Sequence, residues 1–446
     1  MNKILEKFAN KKIAILGFGK EGISSYKFLT KHLNNLDITI IDKNEKIKDM
    51  DIFNNNTKFN LGNDYLSNIE EFDIILKTPG IDVSSIPSIK EKIVSQVSLL
   101  LECTNYNIIG ITGTKGKSTT SSLIYKIIKD QNDSTFLLGN IGNPIFDYID
   151  EFNDDSNLVV ELSAHQLEYV TSSPHISILL NLFEEHLDFF HDKEKYYLAK
   201  LNIFKYKNEE DYALYGSNNN VLVEYINNNN YKGKKIPISL INKNGIYKKE
   251  NYIYINDKKI YNLSDERLLI GEHNIQNIMF AIYVSYILEL DLEKVVESIN
   301  KFEPLPHRLQ KVGTYKGITF YNDTIATIPE SSLNGIKSLE KVDTLILGGM
   351  DRGIDYSLFP KELLKTGINN FICMPETGNK IGKELEKTKN VYYIDDLEDA
   401  VKLAYKITEK GKICLLSPAA PSYNKYKNFE EKGKSYIEFI KKYSNE

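Results

Sequence analysis

Residues IIGITGTKGKSTTSSLI, from Ile108 to Ile124, decide what kind of chain this is. An apolar run ends in glycines and passes into a segment with helical spacing, the strand–turn–helix setting of a phosphate-binding loop. The spelling departs from the common G-x-x-x-x-G-K-[ST]. Ile111 stands where the first glycine would be, and the glycines are Gly110, Gly113 and Gly116. The change alters the length of the loop and leaves its chemistry intact. Gly113 and Gly116 let backbone N–H groups turn inward around an anion. The helix N-terminus adds partial positive charge. Lys117 supplies a cation for β and γ oxygens, and Ser118 a hydroxyl for Mg²⁺. A nucleotide triphosphate would lie along Gly113, Thr114, Lys115, Gly116, Lys117, Ser118 and Thr119. The competing reading is an ordinary turn rich in small residues; Lys-Ser directly after Gly116 favours the nucleotide.

The chain around this loop has 446 residues, 41% of them hydrophobic, which predicts two or three globular domains. A net charge of −5 gives no broad basic field and argues against nucleic acid as the main partner. Three scattered cysteines, Cys103, Cys373 and Cys414, suggest neither a disulfide framework nor a thiolate zinc site. No apolar run is long enough for a membrane span, and the first residues lack a signal-peptide core. The expectation is a cytoplasmic protein that acts as a monomer.

Strand-like and helix-like segments alternate along most of the chain. KKIAILGFG, DITIID and DIILKTPGI read as buried parallel strands, giving a doubly wound N-terminal domain over 1–99. A central domain over 100–304 follows, with strands in YNIIGIT, NLVVE and HISILL. Between about residues 208 and 265 the pattern alternates apolar and polar, with Asn244-Gly245 as a turn signal, which predicts a small antiparallel insertion. Pro304 and Pro306 mark entry to a third α/β domain over 305–446, with strands in ITFYND, VDTLILGG, NFICMP and KICLLSP. The fold class is α/β with three domains: Rossmann-like, P-loop ATPase-like with the insertion, and Rossmann-like again.

Other motifs are weaker when read alone. Glu161 ends an apolar strand, where open α/β sheets collect ligands, and could bind a hard cation; it could equally be a solvated strand end. His186, after two glutamates, is either a metal ligand or a surface residue. Asn274 and Asn277 lie at i, i+3 on a predicted helix, and their amides suit an adenine edge or a helix cap. Arg308 could clamp phosphate oxygens. Gly17, Gly19 and Gly22 spell G-x-G-x-x-G with Asp42 roughly 20 residues on, a dinucleotide fingerprint. The same glycines would cradle any diphosphate. A dehydrogenase would leave Lys117 and Glu161 unexplained.

GTKGKST, with ELSAHQLE, NLFEEHLDFF and YYLAKLNIF after it, is similar to the ATP loop and centre of the Mur ligase family, and the resemblance covers essentially the whole chain. It implies that the N-terminal domain binds the UDP part of a substrate through Gly17, Gly19, Gly22, Asp42, Thr78, Pro79 and Gly80. Asn140, Ser163 and Gln166 match contacts to the acyl-acceptor sugar-peptide. Glu161 and His186 match a Mg²⁺ site. Lys200 matches a lysine that CO₂ carbamylates, and its carbamate helps hold the second of two expected Mg²⁺ ions, with Ser118 a ligand on the nucleotide side. Asn274 and Asn277 would face adenine, Arg308 the ATP phosphates and Asp323 the ribose. Thr327, Arg352, Ser422 and Phe429 match the amino-acid site. The catalytic trio is Lys117, His186 and Lys200. Several positions depart from the family pattern: Glu185 before the histidine, Ile325 for a lysine near the reaction centre, Arg352 where lysine is frequent, SPAAPSY for S-P-A-C-A-S, and Lys20-Glu21 at the diphosphate turn.

The expected activity is ATP-dependent addition of D-glutamate to UDP-N-acetylmuramoyl-L-alanine through an acyl phosphate, in peptidoglycan precursor synthesis. The alternatives are a folylpolyglutamate-synthase-type ligase, an L-glutamate-specific ligase, a P-loop NTPase or kinase without ligase activity, and a nucleotide binder without turnover. Ile325 leaves the enantiomer of glutamate open.

Overall fold

A computed structural model describes residues 1–241, 245–423 and 425–444. Contacts gather the chain into two compact units. The first comprises Met1–Glu266 and Ile275–Phe302; the second takes in Arg267–Asn274 and the chain from Glu303 on.

The first unit carries two sheets. One contains β1 (Lys12–Leu16), β2 (Asp37–Asp42), β3 (Lys58–Leu61), β4 (Ile74–Lys77) and β5 (Ile93–Val94), in the order β3-β2-β1-β4-β5, all parallel. Apolar residues run without interruption along β1 because both faces are covered. Ile13 and Ile15 pack into one apolar cluster, Ala14 and Leu16 into another. The chain order reverses around β1, so Gly17, Asp42 and Thr78 gather beyond the carboxyl ends of three adjacent strands.

The second sheet contains β6 (Asn107–Thr112), β7 (Thr135–Gly139), β8 (Asn157–Glu161), β9 (Ile176–Leu179), β10 (Tyr212–Gly216), β11 (Lys234–Ser239), β12 (Ile246–Lys249), β13 (Tyr252–Ile255) and β14 (Lys258–Asn262). Its order is β14-β13-β12-β11-β10-β9-β6-β8-β7. The antiparallel part is shorter than the sequence pattern predicts. β10 and β11 pair in parallel, joined through the helix Asn220–Asn228, and β11 meets β12 in parallel as well. Only β12 to β14 are antiparallel. Asn244 lies outside the described residues. The parallel pairing on either side of Gly245 means that a simple hairpin does not form there. The chain reverses instead at Glu250-Asn251 and at Asn256-Asp257; at the second, both residues adopt positive φ, the geometry of a tight hairpin turn.

The second unit holds β15 (Gln310–Tyr315), β16 (Ile318–Asn322), β17 (Val342–Leu347), β18 (Asn370–Cys373), β19 (Asn390–Tyr393) and β20 (Ile413–Leu416), in the order β15-β16-β20-β17-β18-β19. Only the edge strand β15 is antiparallel. Along β17, Ile346 packs into one cluster and Leu345 and Leu347 into another, again the mark of a doubly covered sheet. Among the described residues no helix is long and apolar enough to cross a membrane.

Candidate active site

The phosphate loop leaves β6 and enters the helix Lys117–Lys129. Gly116 occupies the N-cap position at φ +86°, which a side chain would strain; a Cβ there would lie 3.0 Å from Asn277 Oδ1. The loop is braced from β9 and its sequel. Thr114 N–H donates to Asn181 O at 3.1 Å, Lys115 N–H donates to Asn181 Oδ1 at 2.9 Å, and Asn181 Nδ2 donates back to Lys115 O at 3.0 Å. Thr114 Oγ1 accepts from Phe183 N–H at 2.9 Å. Nothing in the motif points to Asn181; only its pairing with the loop reveals it.

Two lysines converge on one carbonyl. Lys117 Nζ donates to Gly113 O at 2.9 Å and to Thr114 O at 2.9 Å. Lys200 Nζ, from the helix Lys193–Lys205, donates to Gly113 O at 2.9 Å. Lys200 is 2% exposed, unlike the solvated lysine its helix would ordinarily present. Burial, reinforced by the charge of Lys117, holds its amine well below the usual lysine range, against the opposing pull of Glu185 and Glu161. The Tyr196 ring lies 4.8 Å from Lys200 Nζ, and its hydroxyl donates to Thr114 Oγ1 at 3.4 Å.

Glu161 reaches the same place through the sheet. β8 lies beside β6 with Ile111 paired to Glu161, so the carboxylate and the loop emerge from the ends of neighbouring parallel strands. Glu161 is 1% exposed. Its Oε1 accepts from Asn140 Nδ2 at 2.7 Å and its Oε2 from Ser121 Oγ at 3.4 Å. Asn140 is also anchored through its backbone, N–H to Glu161 O at 2.9 Å. His186 is exposed at φ +57°, its ring 5.8 Å from that of Tyr196 and 5.3 Å from that of His165. Among the described residues no group of three or more His, Cys, Asp or Glu side chains could hold a metal by itself. Mg²⁺ asks for no such cluster: it keeps its waters and takes one or two carboxylates beside phosphate oxygens. The buried Glu161 and the nearby hydroxyl side chains are oxygen donors of that kind.

Ser163 and Gln166 form a capping box on the helix Ala164–Leu167: Gln166 N–H donates to Ser163 Oγ at 3.2 Å, and Gln166 Oε1 accepts from Ser163 N–H at 3.0 Å. Gln166 Nε2 then reaches the glycine-rich turn after β1, donating to Glu21 Oε1 at 2.9 Å. In that turn a Cβ on Gly22 would lie 2.2 Å from Gly17 O, so only glycine allows the helix Lys20–His32 to start so close to the strand. Asp42 braces the turn, its oxygens accepting from Phe18 N–H at 2.7 Å and Asn44 N–H at 2.8 Å. Thr78 Oγ1 donates to Leu16 O at 3.1 Å; Pro79 and Gly80 follow it, and Gly19 leaves open space at its Cβ position.

Asn277 belongs to the first unit, and its Oδ1 accepts from Thr120 Oγ1 at 3.1 Å, on the phosphate-loop helix. Asn274 is assigned to the second unit and donates Nδ2 to Ile270 O at 2.7 Å. The predicted pair therefore makes two different contacts.

Within the second unit, Asp323 follows β16 and Ser417 follows β20, adjacent strands. Asp323 accepts from Ser417 Oγ at 2.9 Å and from Leu309 N–H at 3.1 Å. Burial pushes its carboxyl up to about 7, although both hydrogen bonds and Arg308 favour the ionised form. Ser422 Oγ is buried with no hydrogen-bond partner among the described residues. The Arg352 guanidinium lies 4.9 Å from the Tyr423 ring. Phe429 opens the helix Phe429–Ser444, its ring 6.2 Å from that of His307; Thr327 is half-buried ahead of the helix Pro329–Lys337. On the Phe429–Ser444 helix, Lys432 is buried and donates to Gly348 O at 3.0 Å. Burial lowers its amine to about 8. A lysine in so charged a helix reads as solvated, and nothing in the sequence marks it as buried.

Three family models cover this chain: Mur ligase MurD-like, N-terminal domain over 11–100; Mur ligase middle domain over 111–285; and Mur ligase, glutamate ligase domain over 307–420. A UDP-N-acetylmuramoylalanine--D-glutamate ligase of Clostridioides difficile (strain 630) is 34% identical over 450 residues, spanning 96% of this chain and 97% of that protein. The chain belongs to the Mur ligase family. A relative of the same name from Acetivibrio thermocellus is 31% identical across 99% of this chain and 98% of its own length. Among solved structures, MurF ligase from Thermotoga maritima in complex with ADP matches with a TM-score of 0.61 at 16% identity, covering 100% of this chain and 99% of that one. MurC from Thermotoga maritima gives 0.60 at 16% identity, covering 97% of this chain and 100% of that one. These two share the Mur ligase α/β fold, with its parallel-rich sheets.

Proposed function

We propose that this Mur ligase joins D-glutamate to UDP-N-acetylmuramoyl-L-alanine at the expense of ATP, a step of peptidoglycan precursor synthesis. The observation that carries the reading is the convergence at the end of β6: two lysines on Gly113 O and the buried Glu161 on the neighbouring strand. The near-full-length identity to UDP-N-acetylmuramoylalanine--D-glutamate ligases supplies the substrates. We assign 1–99 to the UDP moiety, 100–304 to ATP and the acceptor, and 305–446 to the amino acid.

In this reading Lys117 and the loop N–H groups, with Ser118, hold the β and γ phosphates, and Arg308 adds a second cation. The alanyl carboxylate attacks the γ-phosphorus and ADP leaves, giving an acyl phosphate. The neutral amine of glutamate then attacks the carbonyl carbon; it loses a proton, and inorganic phosphate departs. Ser118, Glu161, His186 and a carbamylated Lys200 would hold Mg²⁺, two ions in all. When bound, the metal neutralises phosphate charge and polarises the γ-phosphoryl group. Carbamylation requires an unprotonated amine, and the burial that lowers Lys200 favours that form. Asn140, Ser163 and Gln166 would orient the acceptor; Asn274, Asn277 and Asp323 the nucleoside; Thr327, Arg352, Ser422 and Phe429 the glutamate. The buried, unpartnered Ser422 Oγ supports a ligand there, since a hydroxyl deprived of water ordinarily finds a partner. The remaining work is alignment.

The deciding experiment supplies UDP-N-acetylmuramoyl-L-alanine, ATP, Mg²⁺ and each enantiomer of glutamate, and measures phosphate release. Release that requires both substrates and D-glutamate is expected. Turnover of ATP without either would make the chain an NTPase, and preference for L-glutamate would reassign the donor.

A further inference from the structure

Two loops of the second unit are joined rung by rung beyond the carboxyl ends of β17 and β20, which pair in parallel. Gly348 N–H donates to Pro418 O at 2.8 Å, and Met350 N–H to Pro421 O at 2.8 Å. The Tyr356 hydroxyl donates to Ala419 O at 2.9 Å. A Cβ on Gly349 would lie 2.3 Å from Pro421 O, so only glycine lets the loops come this close. Just past these rungs Arg352 meets Tyr423, its guanidinium carbon 4.9 Å from the ring centroid.

We propose that Tyr423 is a positioning residue for the amino-acid substrate: its ring holds the Arg352 guanidinium in place for a carboxylate of the incoming glutamate. The proposal rests on the reading above that gives Arg352 and Ser422 to the glutamate. A flexible arginine loses rotamer freedom when it closes on an anion, and a side chain already held loses less. Contact with Tyr423 meets part of that loss before the substrate arrives.

Tyr423 is 54% exposed, so its ring fills no core; what it touches is the cation. The acids at this turn are otherwise engaged. Lys380 pairs with Asp351 Oδ2, and Gly353 N–H donates to Asp351 Oδ1 at 3.0 Å. Glu376 accepts from Asp351 N–H at 3.0 Å. Among the described residues Arg352 forms no ion pair, which leaves its charge for a ligand. Ser422, directly before Tyr423, is buried, and its hydroxyl has no hydrogen-bond partner among the described residues. A buried hydroxyl beside an uncompensated guanidinium is a donor set suited to a carboxylate. A guanidinium carries its N–H groups along its edges, so one face can meet a ring while an edge meets the anion.

The test is steady-state kinetics of the full chain, with D-glutamate varied at saturating ATP, Mg²⁺ and UDP-N-acetylmuramoyl-L-alanine. Y423L is expected to raise KM for glutamate about two- to fivefold, the range of a cation–π contact at an exposed site, while kcat and the KM for ATP hold. Y423F, which keeps the ring, is expected to restore the wild-type KM. R352M removes the cation, and adding Y423L to it is expected to cost nothing more in kcat/KM for glutamate. A wild-type KM in Y423L would overturn the proposal. So would a loss of the same size in the R352M background, because the ring would then act without the arginine. A wild-type KM for glutamate in R352M itself would instead overturn the reading on which the proposal rests.

Discussion

Replacing Asp323 with Asn tests whether burial controls the charge behind β16. Asp323 is 6% exposed, and its carboxyl lies at about 7 rather than the 3.8 of a free aspartate. The folded chain therefore binds a proton that the unfolded chain has lost between those two values. Stability is full below 3.8 and declines as pH rises through about 7. At about 1.4 kcal/mol for each tenfold, the gap between the two values sets a ceiling of about 4 kcal/mol. Asn removes the titration and keeps an oxygen for the Leu309 N–H. Its Nδ2 can donate to Ser417 Oγ, which turns from donor to acceptor. The relevant measurement is amide hydrogen exchange in β16 and β20, compared between the two proteins at each pH so that intrinsic rates cancel. Protection in D323N relative to wild type should rise between pH 4 and pH 8 by about 2–4 kcal/mol in opening free energy. A constant difference between them would refute the reasoning, because it would mean that Asp323 carries the same charge folded and unfolded.

Lys117→Ala should abolish ATP turnover, at a cost of several kcal/mol in transition-state stabilisation by analogy with other electrostatic groups; steady-state phosphate release decides it. Gly22→Ala places a methyl 2.2 Å from Gly17 O, backbone against backbone, and should cost about 1–3 kcal/mol in stability and raise KM for the UDP substrate while sparing ATP binding; denaturant unfolding with substrate kinetics separates the two. Glu161→Gln should raise the Mg²⁺ concentration for half-maximal activity at least tenfold, read from a metal titration of turnover. Incubation with ¹³C-bicarbonate should give a carbamate carbon signal that Lys200→Met removes.

The parts of this site visible in the sequence are those with rigid spelling. Gly113, Gly116 and Lys117 announce a phosphate loop because the backbone conformation admits few alternatives. NLVVE announces a buried strand with an acid at its end. Adjacency was not visible: nothing in the stretch between them says that Ile111 will pair with Glu161, since order within a parallel sheet is settled by packing of distant segments. Asn277 shows a second limit. Its spacing from Asn274 suits one shared ligand, and its oxygen also pairs with Thr120, a contact that depends on where a helix docks. The region 208–265 shows a third. Alternating polarity marks a half-exposed strand without saying which neighbour it takes, and β11 joins the parallel part of the sheet.

The pairing of β6 with β8 makes this chemistry all-or-nothing with respect to alignment. A slip of one residue would displace Glu161 by about 3.3 Å and turn its side chain through to the opposite side of the sheet. Insertions in the turn over residues 130–134, between the phosphate-loop helix and β7, would by contrast leave the acid where it is, because β7 and Asn140 would still hold β8. Surface loops of this enzyme can therefore diverge freely in length, while the few rungs that zip these two strands together cannot.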